Sequence, residues 1–400
     1  MTPTTPNAWL TESHLRTQIE GVLSFYNRHA ICPTGGFYQQ LNAQGEHADN
    51  GLNQLVSSTR IVVNFARGKL LFDKPEYEHN LRHGLVYIRE QHRWANGLGY
   101  HWMLEGDQPL DSDQYCYGYA FLILAYANAL QAGISQAGPW LQETFDLMEK
   151  YFWQAEHGLY ADQLSADLQT LDNYRGQNAN MHACEAMIAA YEATSDNKYL
   201  GRAQQLAHNI VVRNTASTDG LLWEHYTTDW QVDWDYNKDD PQNLYKPWGY
   251  QPGHFTEWTK LLLMLHKHSP DAALLERAQE LMDTALQYSW DGQYGGLLYG
   301  FAPDYKICDD NKYFWVQAET LAAIAWLMQY KDSATYSQPF ADLAAYIEAH
   351  FIVPGETVWY RVLDRQNQQQ EDWIAAPGAK CDYHNLGACY DILRSLTITK

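Results

Sequence analysis

The stretch GLYADQLSADLQTLDNYRGQNANMHACEAMIAAYEAT, residues 158–194, decides the architecture. It opens on a glycine followed by an apolar residue and passes through a polar loop. It ends in an alanine-rich segment, Ala179–Thr194, whose apolar residues lie three and four apart. That spacing predicts an α-helix. Because the segment is apolar nearly all round, the helix is expected to be buried on every side. An amphipathic partner is predicted over Tyr199–Arg213.

The same opening recurs along the chain, at Gly36-Phe37, Gly97-Leu98, Gly158-Leu159, Gly220-Leu221 and Gly296-Leu297. The intervals are 61, 61, 62 and 76 residues, and a degenerate sixth copy, Val358-Trp359-Tyr360, follows Gly355. Self-similarity at such a period identifies a series of supersecondary units. All-round apolar helices are expected over Leu52–Leu71, Asp113–Leu130, Ala179–Thr194, Gly253–Lys267, Lys312–Gln329 and His384–Leu393. Amphipathic ones are expected over Glu12–Arg28, Glu76–Gln91, Pro139–Tyr151, Tyr199–Arg213, Ala272–Tyr288 and Gln338–His350. Six helical hairpins in series can form an open solenoid or a closed ring. Alternation of buried and amphipathic helices favours an inner and an outer ring. The expected fold is therefore all-α, an (α/α)6 barrel with short β-hairpins in the mouth loops. No low-complexity linker divides the chain, so residues 1–400 are expected to form a single domain. The fourth repeat carries extra material, Asp229 to Trp248, which is expected to form a wall or lid.

Bulk composition narrows the function. Hydrophobic residues make up 46% and charged residues 19%, an ordinary globular balance. Fifteen Trp and 29 Tyr offer flat apolar faces with polar edges, which suit sugar rings. A formal charge of −21 disfavours nucleic acid and anionic membranes as partners. Met1 to Leu10 has neither a basic nor an apolar leader segment, and no apolar run is long enough to span a membrane. Six scattered cysteines without a CxxC pair fit a reduced, cytoplasmic setting. A homo-oligomer is compatible with all of this.

In a barrel of antiparallel hairpins the inner helices run the same way, so their first turns converge on one mouth. The polar residues there are Arg60; Tyr115 and Tyr117; Asn178, Asn180, His182 and Glu185; His254 and Glu257; Gln317 and Glu319; and His384. Buried polar groups need partners, and six segments delivering them to one place mark a site. His182, His254 and His384 occupy equivalent places in the repeat. His83, His92, His266 and His268 lie away from helix starts and read as structural. His254 and Glu257 are three apart and share a helix face, which suits a general acid/base held by a carboxylate. His182 and Glu185 repeat the spacing.

At these residues the chain resembles the N-acylglucosamine 2-epimerase family, with its aldose–ketose isomerases of mannose and of a sulfonated glucose. The matching stretches are STRIVVNFARG around Arg60, Tyr174–Glu185 (YRGQNANMHACE), Asp235–Asp239 (DYNKD), Pro252–Trp258 (PGHFTEW) and Cys381–Asn385 (CDYHN). The resemblance spans essentially the whole chain. It implies an (α/α)6 barrel and proton transfer at the sugar C2 without cofactor or metal. His254 and His384, with Glu257, would be catalytic. Arg60, Tyr117, Asn178 and His182, together with Trp315, Gln317 and Glu319, would bind a monosaccharide. The sulfosugar enzymes place an arginine near the end of the long fourth loop. Here Asn243-Leu244-Tyr245-Lys246 has only Lys246, which favours a neutral sugar, mannose or lyxose. A 2-epimerase acting on mannose, N-acylglucosamine or cellobiose is the nearest alternative. A metal enzyme would use the two His-x-x-Glu pairs, but no HExxH or Cys-rich signature accompanies them. A glycoside hydrolase would need two carboxylates, Glu257 and Glu319 being candidates. A purely carbohydrate-binding protein leaves the histidines unexplained.

Overall fold

The computed structural model describes residues 7–48, 51–370 and 381–398; Met1–Pro6, on which part of the leader reading rests, lie outside them. Twelve α-helices run through the described residues. They are α1 (Glu12–His29), α2 (Leu55–Phe72), α3 (Pro75–Tyr87), α4 (Cys116–Gln131), α5 (Ala137–Phe152), α6 (Gln177–Thr194), α7 (Asn197–His208), α8 (Pro252–His268), α9 (Ala272–Ser289), α10 (Phe314–Tyr330), α11 (Ser333–His350) and α12 (Tyr383–Leu396). The even-numbered helices are buried almost throughout: α8 buries every residue from Pro252 to Leu265. The odd-numbered ones bury a stripe, as α9 does with Ala278, Leu281, Met282, Ala285 and Ser289. The alternation expected from the sequence is thus present. None of these helices is long and apolar enough to cross a membrane.

Contacts divide the chain into two compact units. One comprises the chain to Phe25, Asp239–Glu371 and the residues from Asp382 onward. In it α10 packs against both α8 and α12, with α9 on α8 and α11 on α10. The other is Tyr26–Lys238 with the segment ending at Cys381. There α4 packs against α2 and α6, and α3, α5 and α7 pack on α2, α4 and α6 respectively.

Helix boundaries depart from expectation in instructive ways. α11 starts at Ser333, earlier than the expected Gln338, and carries Pro339 inside it. Asp332 caps the helix through the Ala334 amide, so its start is set before the proline is reached. α3 and α7 give way to wider π-type turns, Ile88–His92 and Asn209–Arg213. Of the strands expected as local hairpins, three pairings are local, Met103–Glu105 with Gln108–Asp111, Trp153–Gln154 with Leu159–Tyr160 and Gly300–Phe301 with Ile307–Asp309, while four others join one repeat to the next. Leu52–Gln54 pairs with Met103–Glu105, Gln114–Tyr115 with Gln163–Leu164, Arg175–Gly176 with His225–Tyr226, and Lys312–Tyr313 with Val362–Leu363. Each leads directly into an even-numbered helix.

The recurring glycine has a conformational cause. Gly36, Gly97, Gly158, Gly220, Gly296 and Gly355 all have φ between 65° and 83°, the left-handed region that favours glycine. At Gly158 a Cβ would also lie 2.5 Å from Asn209 Nδ2. The segment after the glycine is held by an amide clamp. Asn180 accepts from the Tyr160 N–H at 2.8 Å and donates to its carbonyl at 3.0 Å. Gln317 does the same to Leu297, at 2.9 Å for both bonds. Gln114 clamps Tyr100 likewise. Asn180 and Gln317 are each the fourth residue of their helix, so the clamp is part of the repeat.

The histidines read as structural are engaged by backbone: His83 with the Gly36 carbonyl, His92 with that of His101, His266 with that of Asp271. Burial depresses His92 to about 4. Unfolded, it titrates near its ordinary value of 6.5, so the unfolded chain binds more protons between those limits. The stability it supports is present above about pH 6.5 and drains away as the pH falls toward 4. Urea unfolding should therefore show about 3 kcal/mol more loss between pH 7 and pH 4 in the native protein than in His92→Asn. Equal losses in the two proteins would show that His92 is not the acid-sensitive group.

Candidate active site

Candidate residues fall at regular helical positions. Arg60, His182, Glu257 and Glu319 are each the sixth residue of α2, α6, α8 and α10. Tyr117, Asn178, Trp315 and His384 are each the second residue of α4, α6, α10 and α12. Second and sixth positions are one turn apart on one face. The three histidines do not hold the equivalent places expected of them: His182 is sixth in α6, His254 third in α8 and His384 second in α12. No side chain caps any of these six even-numbered helices, and none has an acidic residue in its first turn. The first turns of α2, α4, α6, α8 and α10 thus bring no carboxylate to the positive end of the helix dipole, whereas α12 follows Asp382. By contrast, α7, α9 and α11 start on Asp196, Asp271 and Asp332, each accepting an amide hydrogen bond.

In the unit containing α2–α7, Arg60 Nη2 donates to the Tyr117 hydroxyl at 2.8 Å. Its guanidinium lies 4.6 Å from the Phe121 ring centre. The His182 ring packs edge-on against Tyr117 at 4.9 Å and tilted against Phe121 at 4.8 Å. His182 Nδ1 lies 3.0 Å from Glu185 Oε2. An ionised carboxylate only accepts, so Nδ1 carries the proton and Nε2 is left as the basic ring atom. Asn178 Oδ1 is buried with no hydrogen-bond partner among the described residues. The residues assigned to sugar binding from this half of the chain are thus gathered, apart from Asn178, into one aromatic–cation cluster.

In the other unit Trp315 links the two histidines, its ring centre 5.1 Å from that of His254 and 5.8 Å from that of His384. His384 Nδ1 donates to Glu319 Oε1 at 2.7 Å. Glu319 Oε2 accepts from Lys260, which also pairs with Asp391 at 3.0 Å. Burial alone would raise the Glu319 carboxyl, but the Lys260 charge and the His384 hydrogen bond outweigh it and hold the group below the ordinary carboxylate range. Glu257 is fully buried, and its carboxylate lies within 4.8 Å of Glu319 and His384. Such a trio could in principle hold a metal. Here both Glu319 oxygens already accept from cationic or N–H donors, which makes it a poor ligand.

Three sequence assignments change. Gln317, expected on the sugar, has both ends of its amide engaged by the Leu297 backbone and is structural. Glu319, also expected on the sugar, is the partner of His384. Lys246 was counted as the only cation near the long loop, yet Arg361 is close enough for its charge to act on the Tyr245 phenol. Lys260 was missed; its signal is a lone cation directly before the apolar run Leu261–Leu265. Within the long loop, Trp230 is buried and donates to Gln154, while Trp234 and Tyr245 are exposed.

Helical hairpins in series, with the imidazoles of His182 and His384 held by carboxylates near helix starts, fit an isomerase. The chain belongs to the N-acylglucosamine 2-epimerase family, whose model matches residues 36–388. It is 48% identical to a D-mannose isomerase of Marinomonas mediterranea over 394 residues, 98% of this chain and 99% of that protein. A crystal structure of a D-mannose isomerase superposes with a TM-score of 0.94 at 47% identity, covering 98% of this chain and all of the other. A cellobiose 2-epimerase from Spirochaeta thermophila, 21% identical, superposes at 0.87 over 99% of both chains, a likeness of fold. The helical (α/α) barrel expected from the sequence is the fold shared with these proteins.

Proposed function

We propose that this protein interconverts D-mannose and D-fructose, with residues 1–400 acting as one catalytic domain in the cytoplasm. The observation that carries the proposal is near-full-length identity of 48% to a D-mannose isomerase. The paired imidazoles support the chemistry. After ring opening, a neutral imidazole takes the C2 proton, and its bonding pair becomes the C1–C2 double bond of a cis-enediolate. Negative charge then develops on the C1 oxygen. A proton delivered to C1, with the O2 proton passed to the C1 oxygen, gives the ketose. His254, with Glu257 nearby in sequence on its face, carries the proton between carbons. His384, fixed by Glu319, opens the ring and serves the oxygens. Arg60, with Tyr117, opposes the developing charge. His182, Asn178 and Trp315 hold the sugar, a hydroxyl satisfying Asn178 Oδ1. No step calls for a metal or a cofactor.

The test is incubation with D-mannose in D2O after chelator treatment, followed by NMR. Fructose should form, with deuterium at C1 reporting how far the carried proton exchanges with solvent. Glucose as first product would mean 2-epimerisation instead. Turnover of mannose 6-phosphate or sulfoquinovose in preference to mannose would give Arg361 and Lys246 an anion-binding role and overturn the neutral sugar.

A further inference from the structure

Lys260 lies where an ammonium is costly. It sits on α8 with its side chain 3% exposed, directly before the apolar run Leu261–Leu265. Its Nζ is 2.5 Å from Glu319 Oε2 on α10 and 3.0 Å from Asp391 Oδ2 on α12. The far side of Asp391 faces Arg394 at 3.6 Å, a residue 23% exposed. A line of alternating charge thus runs from Arg394 through Asp391, Lys260 and Glu319 to His384. We infer that Lys260, backed by Asp391, is a positioning residue that sets the pH at which His384 changes charge, acting through Glu319. The inference rests on the proposed role of His384 as an acid/base.

The physical case is one of charge balance. Two carboxylates, Glu319 on α10 and Glu257 on α8, lie close to the His384 imidazole. Rings also pack against it: Trp315 and Phe314 from α10, Tyr383 from α12, and His254 through Trp315. Carboxylates favour the imidazolium, and an imidazolium cannot accept a proton. Lys260 offsets the Glu319 charge while leaving its Oε1 to orient Nδ1–H. Asp391 shares the ammonium and so weakens that offset. Ion pairs buried this deeply contribute little net stability, and a packing role alone could be filled by a leucine or methionine.

Lys260 and Asp391 therefore act on His384 with opposite sign, which a structural role would not produce. Ring-15N-labelled histidine can be followed by NMR in the full-length protein, with His384 identified by the resonance lost in His384→Asn. Lys260→Met should raise the titration midpoint of His384 by about one pH unit. Asp391→Asn should lower it, and Lys260→Arg should restore most of the native value. The acid limb of the kcat profile should move with the midpoint in each variant. Unmoved midpoints, or shifts of the same sign in both variants, would overturn the inference. Should Lys260→Met fail to fold, the downward shift in Asp391→Asn decides alone. The NMR titration uses no sugar, so failure of the native protein to convert mannose would sink the proposed function and leave this result standing.

Discussion

His254→Asn should lower kcat for mannose–fructose exchange by about 10^3-fold, the scale of a positioned acid/base. His254 is the third residue of α8, its ring 8% exposed and packed against Trp315. Asparagine matches much of its shape and keeps a polar tip, so the Trp315 contact and the fold should survive. It has no group that gains and loses a proton near neutral pH. The unfolding free energy should change by less than about 1 kcal/mol, and mannose should still bind with similar KM. Deuterium incorporation at carbon should fall in step with kcat. A variant within tenfold of native activity would remove His254 from the proton path and leave His384 to carry it.

Glu319→Gln should cost about 10^2-fold in kcat and about 2 kcal/mol in stability. The carboxylate is shared between His384 Nδ1 and Lys260 Nζ. A glutamine oxygen can still accept one of those bonds, but the other falls to an NH2 that faces a donor. Lys260 keeps Asp391, so the buried ammonium is not left alone and the loss stays below that of an orphaned ion. Oriented toward His384, the glutamine oxygen preserves the tautomer and loses only the charge; oriented the other way, it forces the ring to turn. Either outcome weakens the base. Glu319→Asp should do no better, because the shorter side chain cannot span both partners. Chemical unfolding alongside kcat separates the two losses. Activity lost with unchanged stability would mean that Lys260 and Asp391 hold together without Glu319.

The fold was legible because its signals are local and repeated. A glycine that must take positive φ recurs at about the repeat length, and helices buried all round alternate with amphipathic ones. Joining one repeat's strand to the next is a non-local act, which is why hairpins were expected where cross-repeat pairs occur. The site was legible where neighbours in sequence are neighbours in space. His182 and Glu185, three apart on one helix, pair as expected. His384 and Glu319 are 65 residues apart, and nothing local announces their contact. Glu257 invited assignment to His254 by spacing, while Glu319 and Gln317 looked alike as polar residues early in one helix. One proved a partner of a histidine and the other a brace for backbone. Lys260 was hidden because a single cation in an apolar helix reads as an edge residue until three helices close around it.

The way the even-numbered helices begin has a consequence for synthesis on the ribosome. α9 and α11 bring their own start signal in an aspartate, and each can nucleate as soon as its residues emerge. α4 has no such cap: it begins at Cys116 from Tyr115, whose strand pairs with Gln163. Its first turn is secured only when residues nearly fifty places later have been made, a wait of about 5 s at ordinary elongation rates. The same delay recurs at Gly176, which awaits His225, and at Tyr313, which awaits Val362. The nascent chain thus carries an unfinished, strongly apolar helix through each of these intervals, and the last of them closes when Val362 has been made.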